Sequence, residues 1–314
     1  MIDTYIYILE DFVFLCTGLL LLYLFILAIA SHSRHFVYPK AQKEYHCAIL
    51  IPEGSPLPEI NQGKNYAFIP YQDFFQTVNS LDKERYQLVL LLSASATSLS
   101  PQTLDKIYNA YDAGVQAIQL HTVVENRKGF RNRLRAISEE IKNSMFRTGN
   151  TQFGLSSHLS GINIAIDLAW LQKNLRSSKT NIERKLFRHS IYIDYLSNAI
   201  VYCQSFPASP YRKRTWKMMS YFLPSLLEGN WSFCNRIVQQ LIPTPLKLCL
   251  FIAICTVLIT AYNYTLSFGW WVLLFGVFVT YSLAIPDYLV EDTKKKHSIW
   301  RKRHLKNESK KTKD

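Results

Sequence analysis

The sequence predicts an α/β domain held on a membrane by three apolar helices, and three observations lead there. Apolar residues make up 48% of the 314 and concentrate toward the two ends of the chain. The middle alternates short apolar runs with amphipathic stretches, the pattern of an α/β sheet. Positive charge gathers directly after the last apolar segment.

Residues 12–30 carry no charge and are rich in Leu, Phe and Ile, and about 20 such residues cross the roughly 30 Å of bilayer hydrocarbon. They predict a transmembrane helix over residues 12–31. Ala28 and Ala30 offer a small-x-small site of the kind a cleaved signal peptide carries. The leading residues Asp3, Glu10 and Asp11 are acidic, however, where a signal peptide is positive. Two later apolar segments, 248–262 and 268–285, flank a short uncharged turn around Asn263, Thr265 and Ser267, and predict a membrane hairpin over 246–286.

The formal charge of +13 raises the question of a nucleic-acid partner. Residues 291–314 hold ten Lys or Arg and four Asp or Glu, so ten minus four gives +6 from the last 24 positions. That is the basic cytoplasmic tail the positive-inside rule predicts beside a span, attractive to anionic lipid. No nucleic-acid recognition motif accompanies it. The expected topology is three spans of the cell membrane, with residues 1–11 outside, and the domain at 45–205 and the tail in the cytoplasm. Six cysteines, at 16, 47, 203, 234, 249 and 255, form no metal-like spacing and are expected to be free thiols.

Within the domain, runs 47–51, 66–69, 87–92 and 115–120 predict strands. Ser100 before Pro101 signals a helix start. Leu104, Ile107, Tyr108 and Tyr111 then share one face, and Gly114 ends it. A longer helix aligns Leu134, Ile137, Ile141 and Met145, stops near Gly149, and keeps its charges on a solvated face. Beyond Tyr202, residues 210–242 predict interfacial amphipathic helices. Arg212, Lys213, Arg214 and Lys217 surround Trp216 and lead into Met219, Leu223, Leu226 and Leu227, and a second such stretch occupies 231–241.

Several local patterns sharpen this layout. They are Ala48-Ile49-Leu50-Ile51-Pro52-Glu53, the strand and helix over 87–104, Glu125-Asn126, the block from Arg147 to Gly161 containing Ser157 and His158, Ile193-Asp194-Tyr195 with Ala199 to Tyr202, and Tyr211-Arg212-Lys213-Arg214-Thr215. Together they resemble the membrane-bound family 2 glycosyltransferases, the class that includes cellulose and hyaluronan synthases. The resemblance implies a glycosyltransferase-A-like fold for the α/β domain, binding a nucleotide-diphospho-sugar. The family's chemical motifs are replaced. Ser93-Ala94-Ser95 stands where the family has Asp-x-Asp, and Ser178 and Lys179 stand near its Glu-Asp pair. Tyr211 and Arg214 stand in its Gln-x-x-Arg-Trp, with Trp216 one position late.

Sugar transfer from a nucleotide diphosphate uses a divalent cation held by carboxylate oxygens, and Ser93 and Ser95 are neutral. A positioned base contributes on the order of 100-fold to 10,000-fold, and neither Ser178 nor Lys179 replaces an Asp. The expectation is therefore a catalytically inactive homologue that needs no cofactor and works with membrane lipids and a protein partner in envelope glycan assembly. Two other readings stand beside it: a diverged transferase using a sugar nucleotide with Mg or Mn, and a membrane-anchored ligand sensor. The candidate cleft residues are Glu53, Glu125, Ser157, His158, Gly161 and Arg212. Glu183 and Asp194 are further carboxylates to place, and His121 and His158 read as hydrogen-bonded structural residues.

Overall fold

The computed structural model describes residues 2–33, 37–60, 65–100, 102–177, 180–205 and 216–285. Along the chain come α1 (Ile2–Ala30), β1 (Cys47–Pro52), β2 (Tyr66–Tyr71), α2 (Phe74–Ser80), β3 (Leu88–Leu91), β4 (Ala96–Leu99), α3 (Thr103–Asp112) and β5 (Ala117–Val124). Then follow α4 (Phe130–Lys142), a π-helical segment (Asn143–Thr148), α5 (Gly149–Gln152), β6 (Ile164–Asp167), α6 (Leu168–Asn174), α7 (Ile182–Arg188) and β7 (Ile193–Cys203). The last helices are α8 (Trp216–Met219), α9 (Phe222–Leu227), α10 (Trp231–Leu241), α11 (Pro245–Tyr262) and α12 (Tyr264–Ala284). The chain divides into two compact units, one of Met1–Ile29, Leu134–Ser144 and Thr244–Asp314, the other of Ala30–Arg133 and Met145–Pro243.

The second unit is built on a mixed seven-stranded sheet in the order β2-β1-β3-β6-β5-β7-β4. β1 pairs in parallel with β2 and β3, and β5 with β7, while β6 runs against both β3 and β5. Because β6 opposes both neighbours, β3 and β5 point the same way. The carboxyl ends of β1, β2, β3, β5 and β7 therefore meet at one edge, where ligands bind in open α/β sheets. Burial on both sides explains why these strands read as unbroken apolar runs. Leu50, Val89 and Ile166 face helices α2, α6, α7 and α10 through Val78, Leu171, Leu186 and Phe233. On the other side Ile49, Leu90 and Leu120 pack under Leu104 and Ile107 of α3.

The four predicted strands are present, and two more, β4 and β6, are four residues each, too short to show a period. The runs at 193–195 and 199–202, read as a strand pair, are one strand. Its register against β5 slips between Leu120 and His121, a bulge that joins the two halves. Helix α3 is capped by Gln102 in a left-handed conformation, not by Ser100. The Ser100 hydroxyl instead accepts the Ile200 N–H at 3.0 Å, tying the helix approach to β7. The long helix passes through Gly149 to Gln152 by way of the π segment, and Gly154 at φ +68° ends it. Its charges are not all solvated: Glu140 and Arg147 are buried. The single basic helix expected after residue 212 is two short helices, α8 and α9, with Ser220 and Tyr221 between them.

The chain following α1 is tied down before it reaches β1. Ala41 N–H donates to Asn109 Oδ1 at 2.7 Å, and Tyr45 Oη to Asp112 Oδ1 at 2.6 Å. The Tyr45 hydroxyl, followed by the Gln42 N–H, holds the Asp112 carboxyl below its ordinary range. Tyr38 donates in turn to Asp194 Oδ2 at 2.7 Å, so Asp194 is occupied as an acceptor.

In the first unit, three helices are long and apolar enough to cross a membrane: Tyr7–Ala30, Pro245–Tyr262 and Tyr264–Ala284. The hairpin turn is tighter than the sequence suggested. Asn263 alone separates α11 from α12 and caps α12 by accepting from Thr265 N at 3.0 Å. Without a hydrophobic driving force between helices in lipid, close backbone approach through small residues supplies the packing. A Cβ at Gly269 would lie 2.9 Å from the Phe14 ring, and one at Gly276 3.0 Å from Leu21. Trp270 Nε1 donates to Glu10 Oε1 at 2.6 Å beside the same contact. Gly269→Leu is expected to lower the thermal midpoint of the detergent-purified protein, an overpacking cost of about 2 kcal/mol. Gly18→Ala should leave the midpoint unchanged, because the nearest atom to its Cβ is 3.9 Å away.

Candidate functional site

At the carboxyl edge, β3 passes through Leu92 into Ser93-Ala94-Ser95 and then directly into β4. The tight turn leaves the serines facing each other. Their hydroxyls lie 3.0 Å apart, Ser95 N–H donates to Ser93 Oγ at 3.2 Å, and Ser95 Oγ donates to the Ser205 carbonyl at 3.1 Å. Ser93 is buried, and its N–H donates to Asn163 Oδ1 at 3.0 Å. Asn163, fully buried at φ +52°, also donates to Thr122 Oγ1 at 2.8 Å and approaches the Cys203 sulfur at 3.7 Å. Burial pushes the Cys203 thiol up, and the hydrogen bonds from Asn163, Ser95 and Ser93 pull it the other way. The turn is thus a closed set of neutral hydrogen bonds joining β3, β6 and β7.

Glu53 and Glu125 reach the same edge. Glu53 follows β1, is exposed, and its N–H donates to the Tyr71 carbonyl at 3.0 Å. Glu125 follows β5, is exposed, and accepts from Thr97 Oγ1 at 3.2 Å. Among the described residues no group of three or more His, Cys, Asp or Glu side chains is placed to hold a metal ion.

The segment containing Ser157, His158 and Gly161 crosses the helix-covered face of the sheet on its way into β6. Ser157 is fully buried, with its N–H on the Ile193 carbonyl at 2.8 Å, and His158 is nearly buried. Gly161 turns at φ +84°. What holds the segment is Gln119 of β5, also fully buried. Its oxygen accepts from Ser160 N at 2.7 Å, and its amide nitrogen donates to the Leu120 carbonyl at 3.0 Å and the Ile162 carbonyl at 3.2 Å. Glu183 contributes from α7, accepting from Leu159 N at 3.1 Å and from Arg236 Nε of α10 at 2.8 Å. That charge-assisted pair occupies the Glu183 carboxylate. Further along β5, His121 Nδ1 is hydrogen-bonded to the Tyr195 hydroxyl, and the Arg147 guanidinium lies over the Tyr195 ring at 5.9 Å. Arg147 sits in the π segment, a feature frequent at functional sites.

The structure therefore brings Glu53, Ser93, Ser95 and Glu125 to one edge, and Ser157, His158 and Gly161 to the adjoining face. Ser178, Lys179, Tyr211, Arg212 and Arg214 lie outside the described residues. Sequence reasoning missed Asn163 and Gln119, whose signal was a lone amide inside each of two apolar runs, Gly161 to Ile166 and Ala117 to Leu120.

A family model described as glycosyl transferase family group 2 matches residues 88–283. No curated protein matches the chain. A solved structure of a mannosyltransferase from Pyrobaculum calidifontis in complex with GDP-Man and Mn2+ is similar at 12% identity. The alignment covers 88% of this chain and 96% of that one, with a TM-score of 0.42.

Proposed function

The chain belongs to glycosyl transferase family group 2, and from that premise we propose that it is a membrane-anchored homologue that transfers no sugar itself. It serves as partner or regulator of a membrane-bound synthase in envelope polysaccharide or glycan assembly. The observation that carries this reading is the Ser93–Ser95 turn. A hard divalent cation takes carboxylate, carbonyl or water oxygens, and here two neutral hydroxyls spend themselves on each other and on the Ser205 carbonyl. The donor set at this turn does not suit Mg or Mn. In the same reading the second unit and the basic tail face the cytoplasm, α1, α11 and α12 are the three spans, and α8 to α10 lie along the headgroups. A partner in the membrane would supply what three spans lack.

Calorimetric titration of the detergent-purified chain with UDP- and GDP-sugars, with and without Mn, tests the proposal. The expected result is no metal-dependent binding and no turnover, and turnover of any donor would sink it. Glu53 and Glu125, sharing the carboxyl edge, support one second reading, a diverged active transferase. Metal-dependent binding that disappears in Glu53→Gln or Glu125→Gln would establish that reading instead.

A further inference from the structure

We propose that a basic cluster on α7, continuous with the exposed apolar ridge of α9, is a binding site for the phosphate of an anionic phospholipid headgroup. Helix α7 is seven residues long and carries Arg184, Lys185 and Arg188, and Arg176 approaches from the segment before it. Burial, then the charges of Arg176, Arg188 and Arg184, hold the Lys185 amine below its ordinary range, so the four cations are close enough to repel one another. The one acid on this helix, Glu183, is committed to Arg236 at 2.8 Å. A repulsive cluster of this kind is relieved by a bound anion.

What points to a lipid anion is the neighbour. The guanidinium of Arg188 lies over the Tyr221 ring at 5.2 Å and that of Arg184 at 5.9 Å. Tyr221 is the N-cap of α9, and the residues it leads into are apolar and bare: Leu223 is 64% exposed and Leu227 82%. Trp231, opening α10, is 66% exposed. Cations beside an exposed apolar helix and an interfacial Trp form the surface that buries acyl chains while pairing with anionic headgroups. The chain supplies the continuity: three residues after α10 ends, the apolar helix α11 begins. The inference rests on α9 lying against a membrane and is independent of whether the chain transfers sugar.

The test uses the full-length chain in neutral detergent, titrated with short-chain phosphatidylglycerol, short-chain phosphatidylcholine and inorganic phosphate. Phosphatidylglycerol is expected to bind at least about 10-fold more tightly than phosphatidylcholine, the scale of two lost headgroup contacts at about 1 kcal/mol each. Arg184→Gln/Arg188→Gln should remove that preference at an unchanged thermal midpoint. Should that variant not fold, the exposed Arg176→Gln with Lys185→Gln replaces it. Arg301→Gln/Arg303→Gln makes the same charge change in the tail and should keep the preference. Equal binding of the two lipids, or equal loss in the tail variant, overturns the proposal and leaves the membrane contact of α9 standing. Competition by inorganic phosphate as strong as by phosphatidylglycerol overturns the lipid assignment in favour of a soluble phosphate ligand.

Discussion

Gln119→Leu should destabilise the second unit by about 3 kcal/mol, read as a lowered thermal midpoint of the detergent-purified protein. Leucine matches glutamine in volume, so the packing of β5 survives and the loss isolates hydrogen bonding. The Ser160 N–H, bonded to Gln119 at 2.7 Å, would face an apolar group in a buried setting. An orphaned buried polar group costs about 1–3 kcal/mol, on top of the bonds themselves at about 1 kcal/mol each. Hydrogen exchange should quicken at Ser160 and its neighbours before the rest of the sheet. Unchanged exchange there would mean that the segment through Ser157, His158 and Gly161 is held by something other than Gln119.

Asn163→Ala is expected to cost a similar amount, about 3 kcal/mol, for two separable reasons. The buried Ser93 N–H loses its acceptor at 3.0 Å, a penalty of about 1–3 kcal/mol. The backbone at φ +52° also suits asparagine better than alanine, by roughly 1 kcal/mol. Asn163→Gly separates these terms, because glycine accepts the left-handed conformation freely. The glycine variant should therefore be more stable than the alanine variant while showing the same faster exchange at Ser93 and Ser95. If alanine and glycine behave alike, the backbone term is absent and the amide alone matters.

Much of the architecture was legible because burial writes long signals. The uncharged stretch beginning at Phe12 and the apolar runs around Leu50, Leu90 and Ile118 are strong patterns, and all of them form the predicted elements. Strands β4 and β6 escaped because four residues cannot display a period, and β6 contains no exposed alternation to mark its edges. Ser100 misled because a cap is decided by local backbone geometry: Gln102 took the left-handed turn, and the Ser100 hydroxyl found a partner a hundred residues away on β7. Gly149 misled because a wide turn absorbed it inside the helix. At the site, the exchange of acids for serines is plain in the sequence, since it is a matter of residue type. That the serines bond to each other is a fact of the turn, and that Asn163 and Gln119 clamp the surrounding segments depends on contacts 41 to 70 positions apart.

The π segment between α4 and α5 sets how this chain can tolerate changes in length. A π turn accommodates one residue more than an α turn, and each helical residue advances the face by about 100°. Deleting a single position within Asn143–Thr148 would let the helix relax to regular α geometry while rotating everything after it by that angle. Asn150, whose amide meets the Phe146 carbonyl at 2.8 Å and Gln239 at 3.2 Å, would leave its partners. Related sequences that share the buried amide at this place should therefore keep the spacing from Glu140 to Asn150 fixed, even where neighbouring loops gain or lose residues.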